Sequence, residues 1–151
     1  MKSARLYYHR DLMLNLEILE YFWNDLFDWH EYNCRNYPWR DTKDPFAILV
    51  AEKLLQQTTV RNIVVTVYCE ILNLYPNPQA LACASVAKLE ELIQPLGLVY
   101  RSKELKQMAK ELTECYSSQV PQNMEDLLEL TGVGHYSARA VMSFAFEADQ
   151  R

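Results

Sequence analysis

The chain is predicted to be all-α, and three observations carry that reading. Only three glycines occur among 151 residues, apolar residues recur at three-to-four spacing almost throughout, and no stretch alternates apolar and polar as a half-buried strand would. With half its residues apolar, a chain of this length buries a sizeable core and amounts to one domain, read as residues 1–151.

Each helix has its own signal. Leu12, Leu16, Leu19, Trp23, Leu26 and Phe27 form an apolar stripe that predicts a first helix over 11–31. Residues 33–44 read as a connector. Asp44-Pro45 then opens a second helix to about Gln57, with Asp as N-cap and Pro supplying a preset φ at the first helical position. A helix over 60–75 is stopped by Pro76-Asn77-Pro78. Short helices at 79–83 and 86–93 lead to the turn Pro95-Leu96-Gly97, and helices over 101–117, 123–130 and 135–147 follow. No internal repeat, low-complexity tract or interdomain linker interrupts the succession.

Charge and cysteine usage narrow the function classes. A formal charge of −5 argues against a surface that binds nucleic acid all over, because phosphate neutralisation dominates nonspecific affinity. Any such contact must be local. Arg35, Arg40, Lys43, Lys53 and Arg61 share one span, whereas acidic residues concentrate in 11–31, 90–91, 104–129 and 147–149; the alternative is that these runs are solvated helix faces. Cys34, Cys69, Cys83 and Cys115 have neither paired metal-ligand spacing, nor iron–sulfur clustering, nor a disulfide framework, so they read as reduced thiols of a cytosolic protein without a metal site. The N-terminus mixes charged and aromatic residues and is neither a secretory signal nor a membrane span. The expectation is a soluble intracellular protein, nucleoid-associated if bacterial.

Leu130-Thr131-Gly132-Val133-Gly134-His135-Tyr136-Ser137 places two glycines between two helix-forming segments. This predicts a tight helix–hairpin–helix turn within 123–147. Glycine admits positive φ and brings no Cβ, so such a backbone can lie close to another, and the amides opening the next helix face outward where phosphate binds. An ordinary glycine C-cap between two helices is the alternative.

Within 44–58 a carboxylate falls on an apolar face. Glu52 has Ile48, Leu49 and Leu55 three and four positions away, while Lys53 looks toward Gln56 and Gln57. A carboxyl desolvated among aliphatics has a raised pKa and can act as a general acid near neutrality; otherwise it reaches the surface or satisfies backbone amides. Gln56, Gln57, Thr58 and Thr59 follow as uncharged groups that donate and accept. Such groups suit base edges, and a glutamine pushed into a duplex can fill the space of an extruded nucleotide. The alternative is a polar run that ends one helix and starts the next.

Tyr37-Pro38-Trp39-Arg40, Asp44-Pro45-Phe46, Glu52-Lys53-Leu54-Leu55-Gln56-Gln57-Thr58 and Leu130-Thr131-Gly132-Val133-Gly134-His135-Tyr136, in this order and separation, resemble the helix–hairpin–helix (HhH-GPD) base-excision DNA glycosylases from about Leu16 onward. The MutY-type adenine branch is the most similar. The resemblance implies a helical bundle or barrel that binds double-stranded DNA holding a mispaired or damaged base. It gives Glu52 the role of protonating the departing adenine and helping to position water, and Gln57 that of insertion into the opened stack. Gly132, Val133 and Gly134 become the phosphate-gripping hairpin, often with a bound monovalent cation. Arg40, Gln56, Thr58, His135, Tyr136 and Ser137 join them as expected DNA contacts.

Tyr136 stands where strand-cleaving members place a Schiff-base lysine. A phenol forms no imine, so the resemblance implies a monofunctional N-glycosylase. Thr131 replaces the proline common before the hairpin. The family's essential aspartate, its four-cysteine iron–sulfur motif and its 8-oxoguanine-inspecting module would all lie beyond Phe144-Ala145-Phe146, and Asp149 comes too early to be that aspartate. The expectation is therefore the front part of a longer enzyme, inactive by itself, with any iron–sulfur cluster in the parent. Adenine opposite guanine or 8-oxoguanine is the expected substrate. A thymine or uracil mismatch glycosylase and a noncatalytic DNA-binding or interaction domain are the competing readings.

Overall fold

The computed structural model describes the backbone of residues 3–57, 62–97 and 99–147. The described residues form helices and connectors with no strand, in two compact units, Met1–Asn36 and Tyr37–Arg151.

The first unit is one helix, α1 (Ser3–Asn33). It begins earlier than the apolar stripe predicts, because neither glycine nor proline occurs before Pro38 to stop it. The Asn33 side-chain amide donates to the Trp29 carbonyl at 2.8 Å in its last turn. Along the stripe, Trp23 contacts Phe27 with ring centroids 6.1 Å apart, and both side chains are exposed. The side chain of Leu12 lies outside the described residues.

The second unit is built around α2 (Pro45–Leu55). The predicted cap is present: the Asp44 carboxylate accepts from the Phe46 N–H at 2.9 Å, with Pro45 in the first turn. Phe46 through Ala51 are all buried, so the helix has no polar face over that stretch and is enclosed by its neighbours. It packs on α3 (Asn62–Leu74), α6 (Arg101–Cys115) and α8 (His135–Phe146). Helices α4 (Pro78–Ala82) and α5 (Val86–Ile93) lie against α6, each opened by a side-chain cap, Asn77 and Ser85 respectively. A 3-10 turn over Gln94–Leu96 ends at Gly97, whose φ of +77° is the left-handed conformation that glycine adopts without strain. Helix α7 (Met124–Glu129), capped by Asn123, completes the unit and packs on α8.

Leu49 and Leu54 of α2, Ile71 of α3, Leu105 and Leu112 of α6 and Val141 of α8 are fully enclosed and share one core. At about 25 cal/mol per Å², each such side chain contributes on the order of 2 kcal/mol through burial. Among the described residues no helix is long and apolar enough to cross a membrane, and no group of acidic, histidine and cysteine side chains could hold a metal ion.

Candidate DNA-binding and catalytic site

The site is assembled where the C-terminal half of α2 meets the turn between α7 and α8. Glu52 is half-buried on α2, and desolvation pushes its carboxyl from 4.5 to about 7. A carboxyl in that range is partly protonated at neutral pH and can donate a proton to a departing group.

Lys53, next in sequence, is fully buried, and it does not join a basic surface with Arg35, Arg40 and Lys43 as its place in the sequence suggests. Its ammonium donates to Glu104 Oε2 at 2.7 Å, to the Gly132 carbonyl at 3.1 Å and to Gln56 Oε1 at 3.4 Å. The predicted contact with Gln56 is therefore present. Charge burial explains the rest: an ammonium taken out of water requires a counter-ion and acceptors, and α6 and the hairpin supply them. The available signal was the lone cation of a helix whose other residues, Glu52 apart, are apolar.

Gly132 occupies the left-handed region at φ +71°, and a Cβ there would collide with Lys53 Nζ. Gly134 differs. Its φ is −98°, and a Cβ would meet nothing within 4 Å. The second glycine thus answers no packing demand within the described residues and leaves an open backbone at the start of α8. That helix has no side-chain N-cap, so its first amides lack the partner a capping residue would provide. Val133 and Ser137 point into the protein and are buried, whereas His135 and Tyr136 are exposed.

The residue before the hairpin glycine is held from α6. Glu111 Oε2 accepts from the Thr131 N–H at 2.7 Å, and Oε1 accepts from the Thr131 hydroxyl at 2.6 Å. Burial works to raise the Glu111 pKa, but the bonds from Thr131 and Gln107 outweigh it and hold the carboxyl below its ordinary value. A proline at 131 would offer neither donor, so threonine here adds an anchor.

Gln56 turns inward, its amide donating to the Gly132 carbonyl at 3.0 Å and to Ser137 Oγ at 3.4 Å. Gln57 is exposed, has a left-handed φ of +54° unusual for a non-glycine residue, and accepts from the Tyr100 hydroxyl at 3.5 Å. Arg101, buried beside Tyr100, donates to the Leu54 carbonyl at 3.1 Å and so braces the end of α2. Arg40 is exposed with its guanidinium 5.3 Å from the Tyr37 ring centroid; Tyr37 stacks on Trp39, which meets Tyr68 of α3 edge-on. Thr58, Arg61 and Asp149 lie outside the described residues. Sequence reasoning named Glu52, Gln56, Gln57 and the hairpin, but it missed Glu104 and Glu111, which lie on α6 far away in sequence.

Residues 50–145 match the model of the HhH-GPD superfamily base excision DNA repair proteins. A thymine-DNA glycosylase of Aeropyrum pernix is 46% identical over 78% of this chain and 53% of its own length. A thymine/uracil-DNA glycosylase of Pyrobaculum aerophilum is 41% identical over 80% of this chain and 53% of its own. An adenine DNA glycosylase of Mycobacterium tuberculosis is 36% identical over 81% of this chain and 40% of its own. The chain spans about half the length of the curated archaeal relatives. Among solved structures, a thermostable thymine-DNA glycosylase superposes with a TM-score of 0.75 at 31% identity, covering 85% of this chain and 59% of that one. Thymine-, uracil- and adenine-directed relatives all appear, so the MutY branch is not singled out.

Proposed function

The chain belongs to the HhH-GPD superfamily of base excision DNA repair proteins, and from that premise we propose that it is the glutamate- and hairpin-bearing part of a monofunctional DNA N-glycosylase that removes thymine or uracil mispaired with guanine. The observation that carries the reading is Glu52, a carboxyl raised to about 7 on the helix whose next residue is hydrogen-bonded to the hairpin.

The chemistry follows from those two groups. The hairpin and the amides opening α8 hold a strand by its phosphates, Gln57 enters the stack, and the target base swings out. As the N-glycosidic bond breaks, its electron pair goes to the base nitrogen and the Glu52 carboxyl supplies a proton to the base. Water adds at C1′ of the sugar, and its proton returns to the Glu52 carboxylate. Tyr136, exposed where strand-cleaving relatives carry lysine, offers no amine, so the backbone stays intact. The Gly132 carbonyl already accepts two N–H donors, one of them the Lys53 ammonium, an arrangement that disfavours it as a ligand for a hairpin cation.

Pyrimidine over adenine is favoured by the archaeal relatives, which share more of this chain's residues than the mycobacterial adenine glycosylase does. Adenine is the second reading, supported by the mycobacterial relative and by the motifs around Glu52. Single-turnover excision by the intact protein on T·G, U·G, A·G and A·8-oxoG duplexes decides between them. Excision of the pyrimidines without strand scission is expected; release of adenine alone moves the assignment, and no release from any duplex overturns it.

A further inference from the structure

We propose that Lys53 is a positioning residue that couples the hairpin's hold on DNA to the carboxyl of Glu52, an inference that rests on the glycosylase reading. An ammonium has three N–H donors, and here each has its own partner: Glu104 on α6, Gln56 at the C-cap of α2 and Gly132 in the hairpin. An ion pair whose ammonium is buried, as Lys53 is while Glu104 stays partly exposed, adds little stability over a well-packed apolar side chain of the same volume, so its use is sought in register.

The register is specific. Gly132 can approach only because it has no side chain, and the Lys53 ammonium fills the space a Cβ would take. Gln56 donates to the same carbonyl, so two residues of one helical turn fix a single backbone oxygen. Glu104 and Glu111, two turns apart on α6, fix Lys53 and Thr131 respectively. The hairpin is thereby tied to α2 immediately beside Glu52. When a phosphate is gripped at the start of α8, the strand and the carboxyl are held in one frame, and a misplacement of about 1 Å in such a frame can cost about 100-fold in rate.

The test uses Lys53→Met, which keeps much of the volume and removes the donors, in the intact protein. The single-turnover excision rate, normalised by active-site titration, is expected to fall 10- to 100-fold. Affinity for a duplex carrying a non-hydrolysable mispaired nucleotide should change less than about threefold. Glu104→Gln, which keeps an acceptor but loses the charge, should fall by a smaller factor. An unchanged rate in Lys53→Met, or a loss entirely in affinity, overturns the proposal.

A second readout needs no catalysis. Amide hydrogen exchange over 52–56 should slow when undamaged duplex binds the native protein and should not respond in Lys53→Met; equal slowing in both overturns the coupling. If the native protein excises no base, the glycosylase reading fails while the exchange comparison still decides the role of Lys53. If it binds no duplex, both fall.

Discussion

The Lys53 ammonium lies 3.1 Å from the carbonyl oxygen of Gly132, a residue 79 positions further along the chain, and fills the space that a Cβ on that residue would need. Gly132 is thus glycine for two reasons, its left-handed backbone and its neighbour. Gly134 is glycine for neither.

That contrast predicts opposite behaviour for two similar substitutions. Gly132→Ala must place a side chain at φ +71° and displace Lys53 Nζ, and the backbone strain alone costs about 1–3 kcal/mol. Gly134→Ala meets open space and should leave Tm nearly unchanged while weakening duplex affinity, because the added methyl stands where phosphate would approach. Thermal melting and a fluorescence binding titration of both variants check this. Equal destabilisation by the two would mean that the hairpin glycines are equivalent.

Glu52→Gln should stabilise the fold in a pH-dependent way. The folded pKa, about 7, lies above the unfolded value of 4.5, so the folded state favours the protonated group. Below 4.5 the carboxyl is neutral in both states and Gln offers little advantage. As pH rises through 7 the native protein loses that stability, while the variant keeps it. A Tm gain of roughly 4 °C at pH 8.5 that vanishes near pH 4 is expected. A gain independent of pH would place the carboxyl in water.

Thr131→Val removes the hydroxyl that donates to Glu111 and should cost about 1.5–3 kcal/mol, as expected for a bond to a charged acceptor. Because the Glu111 pKa is held below its ordinary value, its contribution is present above the unfolded pKa and is lost as pH falls through the lower folded one. Urea melts of native protein and Thr131→Val should therefore converge in acid. A difference that persists there would remove Glu111 from the account.

The sequence made legible whatever is written locally. Asp44-Pro45 specifies a helix start within two residues, Pro76-Asn77-Pro78 a stop, and Pro95-Leu96-Gly97 a turn, and α2 through α8 lie close to the spans those signals predict. The raised pKa of Glu52 was legible too, because its aliphatic neighbours are on its own helix. The burial of Lys53, which shares one span of sequence with Arg40 and Lys43, is not legible there because its counter-ion, Glu104, is 51 positions away and only tertiary packing joins them. Thr131 looked like a simple departure from proline for the same reason: Glu111, which gives its N–H and hydroxyl a use, sits on another helix.

If Glu52 acts as a carboxylic acid on DNA held by the hairpin, its protonation governs the pH dependence of single-turnover excision by the intact protein on a T·G duplex. The rate should decline as pH rises past about 7, where the carboxyl loses its proton, and should fall at least 100-fold across the range in Glu52→Gln. A flat profile between pH 6 and 8, or excision retained in Glu52→Gln, would contradict it.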